Sequence, residues 1–262
     1  MTIVEREVET HRGRVSFGTV GSGPDVVLLH SLLSNRNVFD RIVPLLSDRY
    51  TLHIVDLPGF GQTDLVEPSI DAYGSLIGAM MTEAGVSTDA VLLGNGLGGF
   101  VALGTAVNCG DRFDKLIIAG AGPGFPEEGK APFKGMAAAA GENGMAGVVD
   151  VAVRRIFTEE YLDAHPDDLA ERRAVLLRTD VTAFQRACEA LWTLDYFEAV
   201  KHITNETLLV VGSEDSATPP SLVRQLHQLM PNTTYVELPG VAHGPQLQDP
   251  EGFVATLDAF LG

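Results

Sequence analysis

Glycine, aspartate and histidine stand in three turns whose order and setting suit chemistry at an acyl group. The first turn is Gly94-Asn95-Gly96-Leu97-Gly98-Gly99, directly after the apolar run 90–93 and directly before a stretch of small residues. A strand–turn–helix elbow of the pattern G-x-S-x-G lifts its central residue to the edge of a sheet, and its glycines let strand and helix pack closely. Every part of that pattern is present except the serine, whose place is taken by Gly96. The second turn is Gly212-Ser213-Glu214-Asp215, at the end of the run 207–211, and the third is Gly240-Val241-Ala242-His243. A carboxylate that accepts a hydrogen bond from imidazole Nδ1–H fixes the tautomer and stabilises the imidazolium, leaving Nε2 to take a proton. Singly, Asp215 would pass for a helix cap or loop acid, with Glu214 as its rival, and His243 for an ordinary core or surface histidine. Together, each just past a strand and in the order position 96, acid, histidine, they form one candidate site. Gly96 holds the nucleophile position, Asp215 is the acid and His243 the base.

Attack on a carbonyl also needs donors for the oxyanion that develops. His30-Ser31-Leu32-Leu33 follows the apolar run that begins at Asp25, and the backbone N–H of Leu32 is one candidate donor. The N–H of Leu97, next after the centre of the elbow, is the other. Neither depends on a serine at 96. Ser31, Phe125 and Trp192 are candidate substrate contacts. Ser31 is read as too near the oxyanion loop to replace the missing nucleophile, and Cys109 and Cys188 do not lie at an elbow. His30 ends a strand beside the crevice and is read as structural, with contact to ligand or to the oxyanion loop as the alternative, and the turn Asp56-Leu57-Pro58-Gly59-Phe60-Gly61 is read as mainly structural. No metal or cofactor is expected.

Glycine has no nucleophile, so no acyl-enzyme forms at position 96. Three readings stay open. The chain is a serine hydrolase inactivated by substitution, an enzyme that uses His243–Asp215 as a general base on water or substrate, or a protein that only binds or senses a small molecule. Losing a triad nucleophile costs on the order of 10⁶ in turnover, although oxyanion hole and binding retain about 10³–10⁴ over water. A positioned base adds about 10²–10⁴. That suffices for enol lactones, β-dicarbonyls and other compounds with good leaving groups, and not for plain amides. A pure binding protein has no use for a His–Asp pair beside an oxyanion loop, which favours the two enzyme readings. Water or ligand is expected in the space above Gly96.

Positioning these groups takes a scaffold of strands that end beside one another. The runs 25–30, 51–55, 90–93, 115–119 and 207–211 are short, apolar and rich in branched residues, as buried central strands are. Residues 2–20 suggest an edge hairpin about His11-Arg12-Gly13. Helical spacing marks 38–46, 70–84 and 98–107, and the alternation resumes after 207 with a helix at 220–230, a strand at 234–238 and a last helix at 250–261. Strands alternating with helices imply a mostly parallel sheet covered on both faces. The alternation lapses between 122 and 202, which has no strand-like run. That stretch is expected to be a helical cap over the crevice, inserted in a core made of 1–121 and 203–262.

With these residues in place, the chain resembles the α/β-hydrolase superfamily over essentially its whole length. Within it, the sequence is similar to 3-oxoadipate enol-lactone hydrolases and related ring-opening hydrolases. The likeness rests on His30-Ser31-Leu32, on Arg173-Ala174-Val175-Leu176-Leu177-Arg178-Thr179-Asp180 and on Gly212-Ser213-Glu214-Asp215-Ser216-Ala217-Thr218-Pro219-Pro220. It implies an α/β fold with a mostly parallel eight-stranded sheet, helices on both faces and a helical cap. It also implies Asp215 and His243 as acid and base, and a small ester, lactone or activated carbonyl compound as substrate. The departure is Gly96.

Composition narrows the partners. The formal net charge of −17 offers nucleic acid and anionic membranes no attraction or counterion release, so neither is expected. A preference for an anionic substrate would have to come from local arginines. Two cysteines far apart read as reduced thiols, and the start of the chain has no apolar signal segment, so a cytoplasmic monomer or homodimer acting on a small molecule is expected.

Overall fold

Eight short runs of branched and aromatic residues pair into one sheet in the computed structural model, which describes residues 2–262. β1 (Val4–Thr10) and β2 (Gly13–Gly21) form the expected edge hairpin. They are followed by β3 (Asp25–Leu29), β4 (Thr51–Val55), β5 (Val91–Asn95), β6 (Lys115–Ala119), β7 (Glu206–Gly212) and β8 (Thr233–Leu238). The order across the sheet is β1-β2-β4-β3-β5-β6-β7-β8. The pairings β1/β2 and β2/β4 are antiparallel and all the others parallel. After β3 the chain first extends the sheet to one side with β4, then crosses to the other with β5. The switch point therefore lies between the ends of β3 and β5, where open α/β sheets place their ligands.

The helices are α1 (Val43–Leu46), α2 (Ile70–Glu83), α3 (Leu97–Cys109), α4 (Glu127–Asn143), α5 (Val149–Val153), α6 (Glu159–Ala164), α7 (Pro166–Leu177), α8 (Val181–Trp192), α9 (Pro220–Leu229), α10 (Pro245–Gln248) and α11 (Pro250–Leu261). Capping side chains set several starts: Ser69 accepts the N–H of Ala72 in α2, Asp180 that of Ala183 in α8, and Asp249 that of Gly252 in α11. α3 is buried from Leu97 to Ala106 because it lies between the sheet and α2, which explains why its sequence is small and apolar on every face.

Two local expectations need correction. The single helix expected over 38–46 is a short 3₁₀ turn at Arg36–Phe39 followed by the four residues of α1. Pro44 lacks an N–H and would clash inside a continuous helix, so it is tolerated only in a first turn, where it sits. The strand expected to reach His30 ends at Leu29, since His30 turns its ring toward the next loop.

Between β6 and β7 the chain is helical, α4 to α8, with one isolated bridge between Gly124 and Asp195. α4 packs along α8, and Gln185 Nε2 donates to the carbonyl of Ala137 at 2.9 Å to tie the two. Phe133 and Met136 of α4 and Leu191 of α8 face the ends of β3 and β5. No helix among the described residues is long and apolar enough to cross a membrane.

Candidate active site

β5 ends at Asn95 and α3 begins at Leu97, leaving Gly96 to make the turn alone. Its φ of 55° and ψ of −119° fall where a residue with a Cβ is strained, by about 1–3 kcal/mol. The neighbouring glycines answer to packing: a Cβ on Gly98 would stand 2.0 Å from the carbonyl oxygen of Leu29, and one on Gly94 would stand 2.1 Å from that of Gly98. The turn thus has the shape of a nucleophile elbow without the nucleophile.

Asp215 and His243 come together from the loops after β7 and β8. His243 Nδ1–H donates to Asp215 Oδ2 at 2.8 Å, and both side chains are buried. Asp215 Oδ1 accepts the backbone N–H groups of Ala217 and Thr218, each at 2.8 Å, and Thr218 Oγ1–H donates to Oδ2 at 2.9 Å. Burial alone would raise the Asp215 carboxyl, but the His243 charge and these hydrogen bonds outweigh it and hold the group below its ordinary value. Glu214 is exposed and bonded to Ser213, so it does not compete.

Sequence reasoning missed the groups that fix the histidine loop. Asn95 Nδ2 donates to the carbonyls of His243, at 3.0 Å, and Ala119, at 3.2 Å. Gln246 Nε2 in turn donates to Asn95 Oδ1 at 2.9 Å, and both residues are buried. Asn95 is the x of the elbow pattern, where nothing in one sequence marks a residue as a tether.

The N–H groups of Leu32 and Leu97 have no acceptor among the described residues, and both leucines line one chamber with Ser31, Gly96 and His243. The chamber holds only about 30 Å³, close to one water. The hydroxyl of Ser31 reaches toward the space above Gly96. A Cβ on Gly96 would stand 2.6 Å from Ser31 Oγ and 2.7 Å from His243 Nε2.

His30 holds the loop that carries Ser31 and Leu32. Its Nδ1–H donates to the carbonyl of Ser31 at 2.9 Å and its Nε2 accepts the N–H of Leu57 at 3.1 Å, so the ring must stay neutral. Burial pushes its pKa down from 6.5 to about 4, against the lift from the Ser31 carbonyl. Below pH 6.5 the unfolded chain binds a proton that the folded chain refuses until about pH 4, so stability falls as the pH drops through that window. The loss is expected to reach roughly 3 kcal/mol. Urea denaturation at neutral pH and near pH 4.5 should show it, and His30→Asn should flatten it. Asp215 does not enter this window, because a lowered carboxylate gives up its contribution only below its unfolded value of 3.8.

A wider groove of about 680 Å³ opens beside the chamber, and Phe133, Arg155 and Ala217 belong to the walls of both. Phe125 lines this groove and packs on Phe100 and Phe133, with ring centroids 5.2 and 4.8 Å away. It therefore supports the chamber from one layer back. Trp192 does not reach either space. It lines a separate surface hollow with Lys134 and Arg186, because one residue along α8 turns the side chain about 100° from Leu191, which faces the chamber. The guanidinium of Arg155 has no hydrogen bond or ion pair among the described residues, whereas Arg224 across the groove is paired with Glu237.

The fold is a doubly wound sheet with its crevice at the ends of β3 and β5. Residues 26–256 match the model of the alpha/beta hydrolase family, and the chain belongs to that family. It is 30% identical over 257 residues to the pimeloyl-[acyl-carrier protein] methyl ester esterase of Aeromonas hydrophila, covering 95% of this chain and 99% of that one. Among solved structures it is similar to the enol-lactonase of Burkholderia xenovorans LB400, with a TM-score of 0.89 and 24% identity over 98% of this chain and 99% of that one. A thermophilic esterase from Thermogutta terrifontis, solved with malate bound, has the same TM-score at 21% identity, covering 98% of each chain. At these identities the two structures speak for the fold alone.

Proposed function

We propose that this chain hydrolyses a small ester, lactone or activated carbonyl compound, with His243 as general base and Asp215 as its orienting carboxylate. The N–H groups of Leu32 and Leu97 receive the carbonyl oxygen. The observation that carries this reading is the 2.8 Å bond from His243 Nδ1–H to Asp215. It commits Nδ1 as donor and leaves Nε2 as an acceptor, turned toward position 96. A hydroxyl attacks the bound carbonyl, its proton passes to Nε2, and the oxyanion is held by the two amides. His243 then returns the proton to the departing oxygen. Since Gly96 brings no hydroxyl, the attacking group comes from water or from another side chain. The gain available to a positioned base, about 10²–10⁴, fits activated substrates rather than amides.

The ester class is supported by the relative from Aeromonas hydrophila, and the helices between β6 and β7 serve as the cap that sets acyl-group shape. The acidic surface suits a small-molecule substrate and neither nucleic acid nor an anionic membrane. Arg155 is the local exception. Arg155→Ala is expected to raise KM about tenfold for an ester with a free carboxylate on its acyl chain while leaving the neutral analogue unchanged. The proposal is tested by initial rates on p-nitrophenyl acetate and δ-valerolactone. Turnover above buffer is expected on at least the activated ester. A folded chain that turns over neither, but binds such compounds, would move the reading to a small-molecule binding protein.

A further inference from the structure

We infer that Ser31 supplies the attacking hydroxyl, so that the nucleophile sits on the oxyanion loop rather than on the elbow. The inference rests on the proposed ester-hydrolysing role of His243 and goes beyond it by naming the nucleophile. Ser31 Oγ lies 3.5 Å from His243 Nε2, and the described residues offer it no other hydrogen-bond partner. Because Nδ1–H is engaged by Asp215, Nε2 is the acceptor and the serine hydroxyl is the donor. This is the polarity of a nucleophile facing its base, at a separation that unliganded sites commonly show before they tighten on substrate.

Glycine at 96 is what makes room for this arrangement. A Cβ there would stand 2.6 Å from Ser31 Oγ and 3.2 Å from Ser31 Cβ, so the serine side chain occupies ground that an elbow side chain would claim. The chain relations match as well. Residue 96 directly precedes Leu97, one oxyanion donor, and Ser31 directly precedes Leu32, the other. Moving the nucleophile from one side of the hole to the other therefore keeps both donors next to the reacting carbon. Ser31 is buried, and its own carbonyl is held by His30 Nδ1–H at 2.9 Å, which limits the wandering of its peptide.

The chemistry balances without a further reagent. Ser31 Oγ forms a bond to the substrate carbonyl carbon as its proton passes to His243 Nε2, and the carbonyl π pair moves onto the oxygen held by Leu32 and Leu97. Collapse restores the carbonyl and breaks the bond to the leaving oxygen, which takes the proton from His243. Water then attacks the Ser31 ester and gives its proton to His243. The acid leaves as Ser31 recovers its hydrogen.

The test is covalent trapping of the native chain with diethyl p-nitrophenyl phosphate, followed by peptide mass spectrometry. A single diethylphosphoryl group is expected on Ser31, and its formation should slow by about 10²-fold or more in His243→Ala. Ser31→Ala should take up no label and should lose about 10²-fold or more of its p-nitrophenyl acetate turnover. A label on any other residue, or no label on a chain that turns over the ester, would overturn the inference, and the mapping needs no variant to fold. If Ser31→Ala keeps its turnover, water attacks directly: the nucleophile assignment fails while the His243 reading stands. If the native chain neither turns over esters nor takes up label, both fail together.

Discussion

Asp215→Asn is expected to lower kcat for an activated ester by about 10³–10⁴-fold, while Glu214→Gln leaves it unchanged. The reason lies in the tautomer. The carboxylate now accepts His243 Nδ1–H, and with an amide in its place the ring gains nothing by keeping its proton there. An asparagine that presents its N–H to Nδ1 moves the ring proton to Nε2, which then cannot accept from an attacking hydroxyl. Thr218 does not rescue the pair, because its hydroxyl, 3.1 Å from His243 Nδ1, carries no charge to stabilise the imidazolium. Steady-state rates on p-nitrophenyl acetate decide the matter. A large loss in Glu214→Gln with little in Asp215→Asn would transfer the role of the acid.

The second large effect concerns position 96. Gly96→Ser adds a Cβ at φ 55°, so a stability loss of about 1–3 kcal/mol is expected. The new Cβ also meets Ser31 Oγ and His243 Nε2 at 2.6 and 2.7 Å, so both must give way. The serine hydroxyl is a short rotor and can swing aside, but a displaced imidazole would spoil the base. The double variant Gly96→Ser/Ser31→Gly removes the contact with Ser31 and leaves only the edge of the imidazole to adjust, and it is expected to raise ester turnover on the order of 10²-fold or more over the native chain. Urea denaturation and initial rates should thus move in opposite directions. Higher turnover at lower stability supports a preserved acyl-transfer crevice in which a serine on the elbow outperforms Ser31. A folded double variant without turnover would show that the crevice no longer fits a nucleophile on the elbow, and a stabilised one would contradict the strain argued from φ.

Much of this molecule was legible in its residues because the features concerned are local. Gly94 and Gly98 flank the turn as close packing of β5, β3 and α3 demands, and Asp215 and His243 each follow a strand by a few residues. Runs such as 207–211, too short and too apolar for a surface helix, located the parallel strands and hence the crevice. What escaped depends on side chains far apart in the chain meeting in space. The Gln246–Asn95–His243 tether spans more than half the sequence, and Ser31 finds His243 only because β3 and β8 end on the same edge of the sheet. Trp192 was misplaced for a subtler reason. Composition shows a large aromatic beside the crevice segment, while the helical phase that turns it away from Leu191 depends on how α8 is rotated against α4.

The central claim, that ester hydrolysis runs through the pocket above Gly96, is tested most directly by His243→Ala assayed beside the native chain on p-nitrophenyl acetate. The native chain is expected to turn the ester over, and the variant to lose about 10³–10⁴-fold in kcat/KM with its fold retained by circular dichroism. A folded variant that keeps most of the native rate would place the reaction elsewhere and contradict the account.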